Sequence, residues 1–184
     1  MEVKGTGIVA SSEFVKNKHS SRFQEWLDSL PSESKKIFSG RIILGFWYPM
    51  RDALVVPTEK LIELFCGGNE QGAWDLGRYN ADTNLKGIYK VFVKIATPSF
   101  VLPKAARIFS TFYRPAKAEA EKFDDNSAVL RILEFPEPNY LCELSIAGFT
   151  ERTLEICGCK ELTVNIVKSL AKGDTVTEIL ATWT

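Results

Sequence analysis

Residues 116–135, AKAEAEKFDDNSAVLRILEF, decide the fold class of this chain. Residues 116–123 alternate small and charged side chains, residues 128–135 are rich in Val, Leu and Ile, and the Asp-Asp-Asn-Ser between them is turn-forming sequence. Two such runs joined by a turn predict a β-hairpin. Strands therefore begin after Pro115, and the sequence before it has a different character.

Upstream of Pro115 the apolar residues recur at helical spacing. The pattern predicts helices over 21–30, 32–38, 58–66, 69–79, 83–96 and 97–113, the last with Pro103 as a kink or a late start. Ser21 with Gln24 forms a capping-box pattern, and Gly67-Gly68 is a typical helix end. Between these helices, residues 41–49 are so apolar that we expect them in the core or in an interface.

Downstream of the hairpin, one helix and two more strands follow. Residues 140–157 predict a helix interrupted around Gly148, and residues 162–166 and 176–183 predict a second hairpin around Lys172-Gly173-Asp174. Trp183, at the end of the last strand, is predicted to be structural. The resulting fold class is α+β: one domain over 1–184, with a helical layer (about 11–114) packed on an antiparallel sheet of about four strands crossed by one helix (about 115–184).

Composition excludes several classes of function. The 184 residues are 45% hydrophobic and 25% charged, with 23 basic and 23 acidic residues, so no net charge attracts the whole molecule to nucleic acid or to an anionic membrane. No apolar run reaches the ~20 residues of a membrane-spanning helix, and the start lacks signal-peptide order. The four cysteines are expected to be reduced thiols, which predicts a cytoplasmic protein.

The inventory of reactive side chains does not favour an enzyme. His19 is the only histidine, so Ser-His-Asp or Cys-His catalysis would depend on it, and it lies in a polar stretch typical of a surface or capping residue. Neither a Gly-x-Ser-x-Gly motif nor a glycine-rich phosphate loop is present. Cys142, Cys157 and Cys159 would need further ligands to bind a metal, and packing as small apolar residues is the favoured interpretation.

Several short motifs carry a resemblance that runs over nearly the whole chain. They are Gly7-Ile8-Val9 with Glu13-Phe14-Val15 and His19, Trp47-Tyr48-Pro49, Leu76-Gly77-Arg78, Thr97-Pro98, and Lys172-Gly173-Asp174 through Trp183. They resemble an uncharacterised bacterial family. That family is similar to the superfamily of heme-nitric-oxide-binding domains, 4-vinyl-reductase-type domains and transport-particle subunits of vesicle tethering. The resemblance implies a helical cap on an antiparallel sheet with a ligand or acyl pocket between the layers, serving sensing or assembly.

The chain departs from that superfamily at its cofactor positions. The 4-vinyl-reductase-type pattern, which this segment resembles, has a cysteine on each side of Gly-Asp, whereas here Ser169 and Thr177 flank Gly173-Asp174. Heme-nitric-oxide-binding domains use a proximal histidine in the helical half and a Tyr-x-Ser-x-Arg set, and neither occurs after Gln24. We therefore expect no cofactor, neither heme nor metal. Action on a vinyl tetrapyrrole, as the reductase-type name suggests, is a minor alternative.

An apolar pocket is the candidate site. Aromatic side chains typical of small-molecule pockets could line it, with Arg78 as a polar anchor for a carboxylate or phosphate; the predicted set is Trp47, Trp74, Arg78, Tyr89, Phe92, Phe109 and Phe112. The alternatives are ordinary core packing and an ion pair of Arg78 with Asp75 or Asp82.

The sequence thus favours a non-enzymatic sensing or regulatory domain for a small apolar molecule. Its expected protein partners are a second copy of the chain, giving a homodimer, or a signalling protein. The alternative is a protein-interaction or scaffold domain with a filled core, whose partner surface is the apolar segment 42–48.

Overall fold

The computed structural model describes residues 1–85 and 97–184, and its first half is mainly helical. Short turns at Ser20–Arg22 (3-10) and Arg51–Val55 (π) join some of the helices, which are α1 (Gly5–Lys18), α2 (Phe23–Ser29), α3 (Ser32–Ser39), α4 (Val56–Phe65), α5 (Gln71–Asn84) and α6 (Pro98–Phe109). Most of the predicted helix 83–96 lies outside the described residues. Helix α6 includes Pro103 in its interior and ends at Phe109, so its predicted extension to Tyr113 is wrong.

Two features of the first half were not predicted. Helix α1 starts at Gly5 rather than near residue 11, and a small antiparallel sheet joins strands from three distant segments: β1 (Glu2–Lys4), β2 (Trp47–Pro49) and β3 (Tyr113–Arg114), in the order β2-β1-β3. Strands of two or three residues are too short to show an alternating pattern. They are held by pairing across the fold, with Val3 opposite both Tyr48 and Tyr113.

The second half contains the predicted sheet. Its strands are β4 (Lys117–Asp124), β5 (Ser127–Glu134), β6 (Thr163–Lys168) and β7 (Thr177–Thr182), all antiparallel in the order β4-β5-β7-β6. Helix α7 (Tyr140–Ile156) connects the two hairpins and runs unbroken through Gly148, which corrects the predicted interruption. Trp183 follows β7 and is buried. The chain therefore has the predicted α+β fold class.

Buried side chains form two clusters. One lies between the helices and the main sheet and contains Phe109, Phe135, Cys142, Leu154 and Trp183. The other lies among the N-terminal helices around Trp26, which is fully buried and donates from Nε1 to the Pro57 carbonyl at 3.1 Å. Within residues 1–85 and 97–184, the structure has no helix long and apolar enough to cross a membrane.

Helices α5 and α7 approach each other so closely that their backbones leave no room for a Cβ atom at two positions. A Cβ at Gly77 would lie 1.9 Å from the Ser145 carbonyl oxygen, and a Cβ at Gly148 would lie 2.1 Å from the Trp74 carbonyl oxygen. Real Cβ atoms do not come so close to backbone atoms, so only glycine fits at both positions. This contact sets the position of α7 between the helical layer and the sheet.

Residues 41–46, here called the 41–46 loop, do not lie in the core, which was the first of the two predicted alternatives; an interface, the second, stays a prediction. Ile42 packs against both clusters, but Ile43, Leu44 and Phe46 are 45%, 51% and 60% exposed. The loop backbone caps the start of α1: Gly5 N donates to the Phe46 carbonyl at 2.8 Å and Thr6 N to the Leu44 carbonyl at 3.1 Å. Because the loop backbone faces the first turn of α1 to accept these hydrogen bonds, the apolar side chains of Ile43, Leu44 and Phe46 point away from it into solvent.

Candidate functional site

Two of the predicted site residues, Trp74 and Arg78, meet at the contact of α5 with α7. They are one turn apart on α5 and face two glutamates one turn apart on α7. Trp74 Nε1 donates to Glu151 Oε2 at 2.8 Å, and Arg78 also donates to Glu151. Arg78 Nη1 and Nη2 donate to the two oxygens of Glu155 at 2.9 Å each. The guanidinium is therefore held in a bidentate pair with a second carboxylate beside it.

Arg152 extends this network along the same two helices. Its Nε donates to Asp82 Oδ1 at 2.9 Å, and its Nη1 donates to Glu155 Oε2 at 2.8 Å. Burial raises the pKa of Glu155, but the hydrogen bonds from Arg78 and Arg152 lower that pKa more, so it lies below its ordinary value. The carboxylate and both guanidinium groups are therefore charged at neutral pH.

The Arg78 contacts correct one prediction. Arg78 forms an ion pair, as the alternative interpretation held, but its partners are Glu151 and Glu155 rather than Asp75 or Asp82. Trp74, Arg78, Glu151 and Asn165 line an open groove of about 450 Å³. Because Nη1 and Nη2 already donate to two carboxylates, the guanidinium is poorly placed to bind an anionic ligand there. The geometry instead suits a residue that holds α7 on α5.

Phe109 lies in an aromatic cluster at the boundary of the helices and the sheet. Its ring centroid is 4.9 Å from that of Tyr113 and 6.0 Å from that of Phe135, and the Tyr113 and Phe135 centroids are 5.4 Å apart. Such tilted and edge-to-face pairs are favourable arrangements for aromatic rings. Tyr113 and Phe135 were not predicted as site residues. A weak signal existed for both, since Tyr113 follows Phe109 by four residues and Phe135 directly follows β5.

The polar groups at this aromatic cluster are a phenol and a thiol, both protonated at neutral pH. Burial raises the pKa of the Tyr113 hydroxyl, and the nearby Cys142 raises it further. Burial also raises the pKa of the Cys142 thiol, with smaller contributions from Glu143 and Glu59. A phenol and a thiol therefore lie beside the aromatic rings of the buried cluster as neutral polar groups, a mixture of side chains that small-molecule sites also have.

The remaining predicted pocket residues lie elsewhere. Trp47 is on β2, with Arg114 4.2 Å and Lys4 5.6 Å from its ring centroid. The Phe112 carbonyl accepts a hydrogen bond from Lys4 N at 2.8 Å, so Phe112 and Trp47 both border β1. Tyr89 and Phe92 lie outside the described residues. The described members of the predicted pocket therefore occupy three separate places.

A buried carboxylate, missed from the sequence, lies on the sheet side of α7. Glu143 is 1% exposed, and its Oε1 accepts from Thr177 Oγ1 at 2.6 Å and from Ala171 N at 3.1 Å. Ser169 Oγ donates to Oε2. The two hydroxyl residues that flank Gly173-Asp174 in the sequence thus meet at one acid. Burial of a carboxylate is tolerated here because three donors satisfy it.

The Glu143 group does not fit a metal that needs thiolate or imidazole ligands. The group around Glu143 supplies one carboxylate and two hydroxyls, with no thiolate or imidazole. Cys157 and Cys159 lie beyond the end of α7, where burial raises the pKa of both thiols, that of Cys157 to about 11, so both stay protonated at neutral pH. Over residues 1–85 and 97–184, no group of three or more His, Cys, Asp or Glu side chains could hold a metal ion.

Known structures match the fold although no sequence comparison does. No model of a known protein family and no curated protein matches the chain. An H-NOX protein from S. oneidensis in the Fe(II)NO ligation state matches with a TM-score of 0.74 and 12% identity over 98% of this chain and 99% of that chain. Fe(II) unliganded H-NOX from K. algicida matches at 0.69 and 11% over 98% and 96%. A mutant H-NOX domain from Shewanella oneidensis in the Fe(II)CO state matches at 0.71 and 12% over 98% of both chains.

The chain therefore has the H-NOX fold, and the resemblance found in the sequence is confirmed at the level of fold. Heme, which that superfamily implies, needs an axial ligand such as histidine. His19 ends α1, and its ring stacks on Phe65 with centroids 4.3 Å apart and planes 6° apart. The single imidazole thus lies with the N-terminal helices, away from the aromatic cluster. The donor set of the described residues does not fit a histidine-ligated heme between helices and sheet.

Proposed function

We propose that this protein is a non-enzymatic sensing or regulatory domain that binds a small apolar molecule between its helices and its sheet. The observation that carries the proposal is the aromatic cluster of Phe109, Tyr113 and Phe135, with ring centroids 4.9–6.0 Å apart and the protonated Cys142 thiol close to it. The fold supports it, since the similar structures are H-NOX proteins in the Fe(II)NO and Fe(II)CO ligation states. At 11–13% identity that likeness extends to the fold alone.

The predicted residues take different parts in this proposal. Phe109 forms one wall together with Tyr113 and Phe135, and we propose that Phe112, Tyr89 and Phe92 also belong to the apolar lining. Trp74 and Arg78 act indirectly: by holding Glu151 and Glu155 they keep α7, which carries Cys142, against α5. Trp47 borders the site only through β1. The ligand is expected to be uncharged, because the guanidinium of Arg78 is already engaged.

Binding of an apolar dye to freshly purified protein tests this proposal. We expect saturable uptake of Nile red, and a small molecule retained in native mass spectrometry. Phe92→Trp should abolish dye uptake with little change in melting temperature, because the larger ring fills space in the lining. Phe46→Trp is the matched control, since Phe46 is 60% exposed and lies outside the cluster.

The opposite result would overturn the proposal. If the wild type takes up no dye and carries no small molecule, and Phe92→Trp destabilises the fold by the ~1–3 kcal/mol of an overpacked core, the interior is filled. The chain is then an interaction or scaffold domain. This second candidate is favoured by the buried cluster between the helices and the main sheet, in which side chains from α6, α7, β5 and β7 already pack together.

A further inference from the structure

The 41–46 loop exposes apolar side chains that the fold does not use. Its backbone is fixed from both sides: Gly5 N and Thr6 N donate to the Phe46 and Leu44 carbonyls, and Ile43 N donates to Tyr48 Oη at 2.9 Å. A Cβ at Gly5 would lie 2.2 Å from the Ile43 carbonyl oxygen, so the loop lies tightly on the start of α1. The loop contributes only its own main-chain atoms to these hydrogen bonds, so polar side chains at 43, 44 and 46 would leave them in place.

Cations and an indole border these apolar side chains. Trp47 follows Phe46 directly, with Lys4 and Arg114 over its ring at 5.6 Å and 4.2 Å. Arg41 begins the loop, is exposed, and has no ion pair among the described residues. The nearest acid on β1, Glu2, accepts from Arg114 Nε at 2.6 Å and so neutralises that one cation. Lys4 and Arg41 remain to give the loop a positive border.

The size of the apolar surface limits its partner. Three side chains that are about half exposed offer roughly 300 Å², well below the ~800 Å² per partner of a stable protein interface. Exposed large apolar side chains with an indole and cations beside them are instead the pattern of shallow insertion into an interfacial layer. The balanced net charge does not oppose this, because at a surface only charges within about a Debye length act.

We propose that the 41–46 loop docks on a lipid surface that contains anionic headgroups. Ile43, Leu44 and Phe46 enter the boundary between headgroups and acyl chains, Trp47 lies at headgroup level, and Arg41 and Lys4 face lipid phosphates. A protein partner on this segment, the alternative from the sequence, would need additional surface. The proposal does not depend on the aromatic cluster binding a ligand.

Vesicle sedimentation tests the docking. We expect the wild type to sediment with vesicles of phosphatidylcholine and phosphatidylglycerol, more weakly with phosphatidylcholine alone, and less in high salt. The double variant Leu44→Asp/Phe46→Asp should lower binding more than about tenfold, because both side chains lose their apolar contact with lipid. Val167→Asp is the matched control: Val167 is 52% exposed but lies on β6 of the other sheet.

A charge variant separates the lipid headgroup from a purely apolar effect. Arg41→Gln should weaken binding to anionic vesicles about fivefold and leave binding to phosphatidylcholine unchanged. Melting curves establish that each variant is folded. The proposal is overturned if the wild type does not sediment with vesicles, or if Val167→Asp lowers vesicle binding as much as the double variant does. It is also overturned if the wild type binds no vesicles but is a dimer in light scattering that Leu44→Asp/Phe46→Asp converts to monomer. The loop would then be a protein contact.

Discussion

The contact of α5 with α7 and the 41–46 loop are both fixed by main-chain atoms, yet their side chains behave in opposite ways. At the helix contact, Gly77 and Gly148 admit backbone against backbone, and Trp74 and Arg78 find partners across the gap. In the loop, the carbonyls of Leu44 and Phe46 hold α1 while their own side chains remain in solvent. Side chains at the first place contribute to folding, whereas those at the second are available for another role.

Gly77→Val should have the largest effect on stability. Its Cβ would lie 1.9 Å from the Ser145 carbonyl oxygen, so α5 and α7 would have to separate, breaking the contacts beside them. We expect a loss of about 3 kcal/mol or more in the free energy of unfolding, measured by urea denaturation. Gly45→Ala is the control, because nothing lies within 4 Å of a Cβ there. Equal stability of the two variants would mean that the helices are not in backbone contact.

Glu143→Ala, on the sheet side of the same helix α7, should have the next largest effect on stability. The change leaves Ser169 Oγ, Thr177 Oγ1 and Ala171 N without their acceptor in a buried place, which costs about 3 kcal/mol. Glu143→Gln keeps one side-chain oxygen as acceptor and should lose about 1 kcal/mol in the same urea experiment. If the alanine variant were as stable as the glutamine variant, the three hydrogen bonds would contribute nothing.

Arg78→Met should have a smaller effect that depends on pH. Because Arg78 and Arg152 hold the pKa of Glu155 below its ordinary value, ionised Glu155 stabilises the fold above the usual carboxyl pKa, and that stabilisation is lost as pH falls through the folded-state pKa. The partly exposed network limits the loss at neutral pH to about 1 kcal/mol. Thermal melts from about pH 7 to about pH 3 should show a shallower acid decline in the variant than in the wild type. If the melting temperatures of the variant and the wild type fell in parallel with pH, Arg78 would not affect the ionisation of Glu155.

Phe46→Asp should have the smallest effect on stability. The side chain is 60% exposed, and the hydrogen bond to Gly5 N comes from the backbone carbonyl, which the substitution keeps. We expect a change within about 0.5 kcal/mol in the free energy of unfolding. A loss comparable to that of Glu143→Ala would contradict the comparison, since the loop side chains would then be part of the folded core.

The sequence predicted the site less well than the fold. Phe109 was predicted from its helical spacing, but the two rings that it contacts, Tyr113 and Phe135, lie on or after strands, and helical periodicity does not reach them. Arg78 was correctly interpreted as a candidate for an ion pair, with the wrong acids. Residues one turn away on the same helix are the natural partners in a sequence, whereas Glu151 and Glu155 become neighbours only when α7 crosses α5 at the two glycines.

By itself, the sequence determined the α+β class, both hairpins, the helix between them, the burial of Trp183 and the likeness to the H-NOX fold. Each of these follows from local periodicity, turn residues or motif order, which act over a few residues at a time. Only the tertiary structure decided that residues 43–46 lie outside the core, that Ser169 and Thr177 meet at Glu143, and that β1 pairs with both Tyr48 and Tyr113. These contacts join segments far apart in the chain, and their positions depend on which backbones can approach closely.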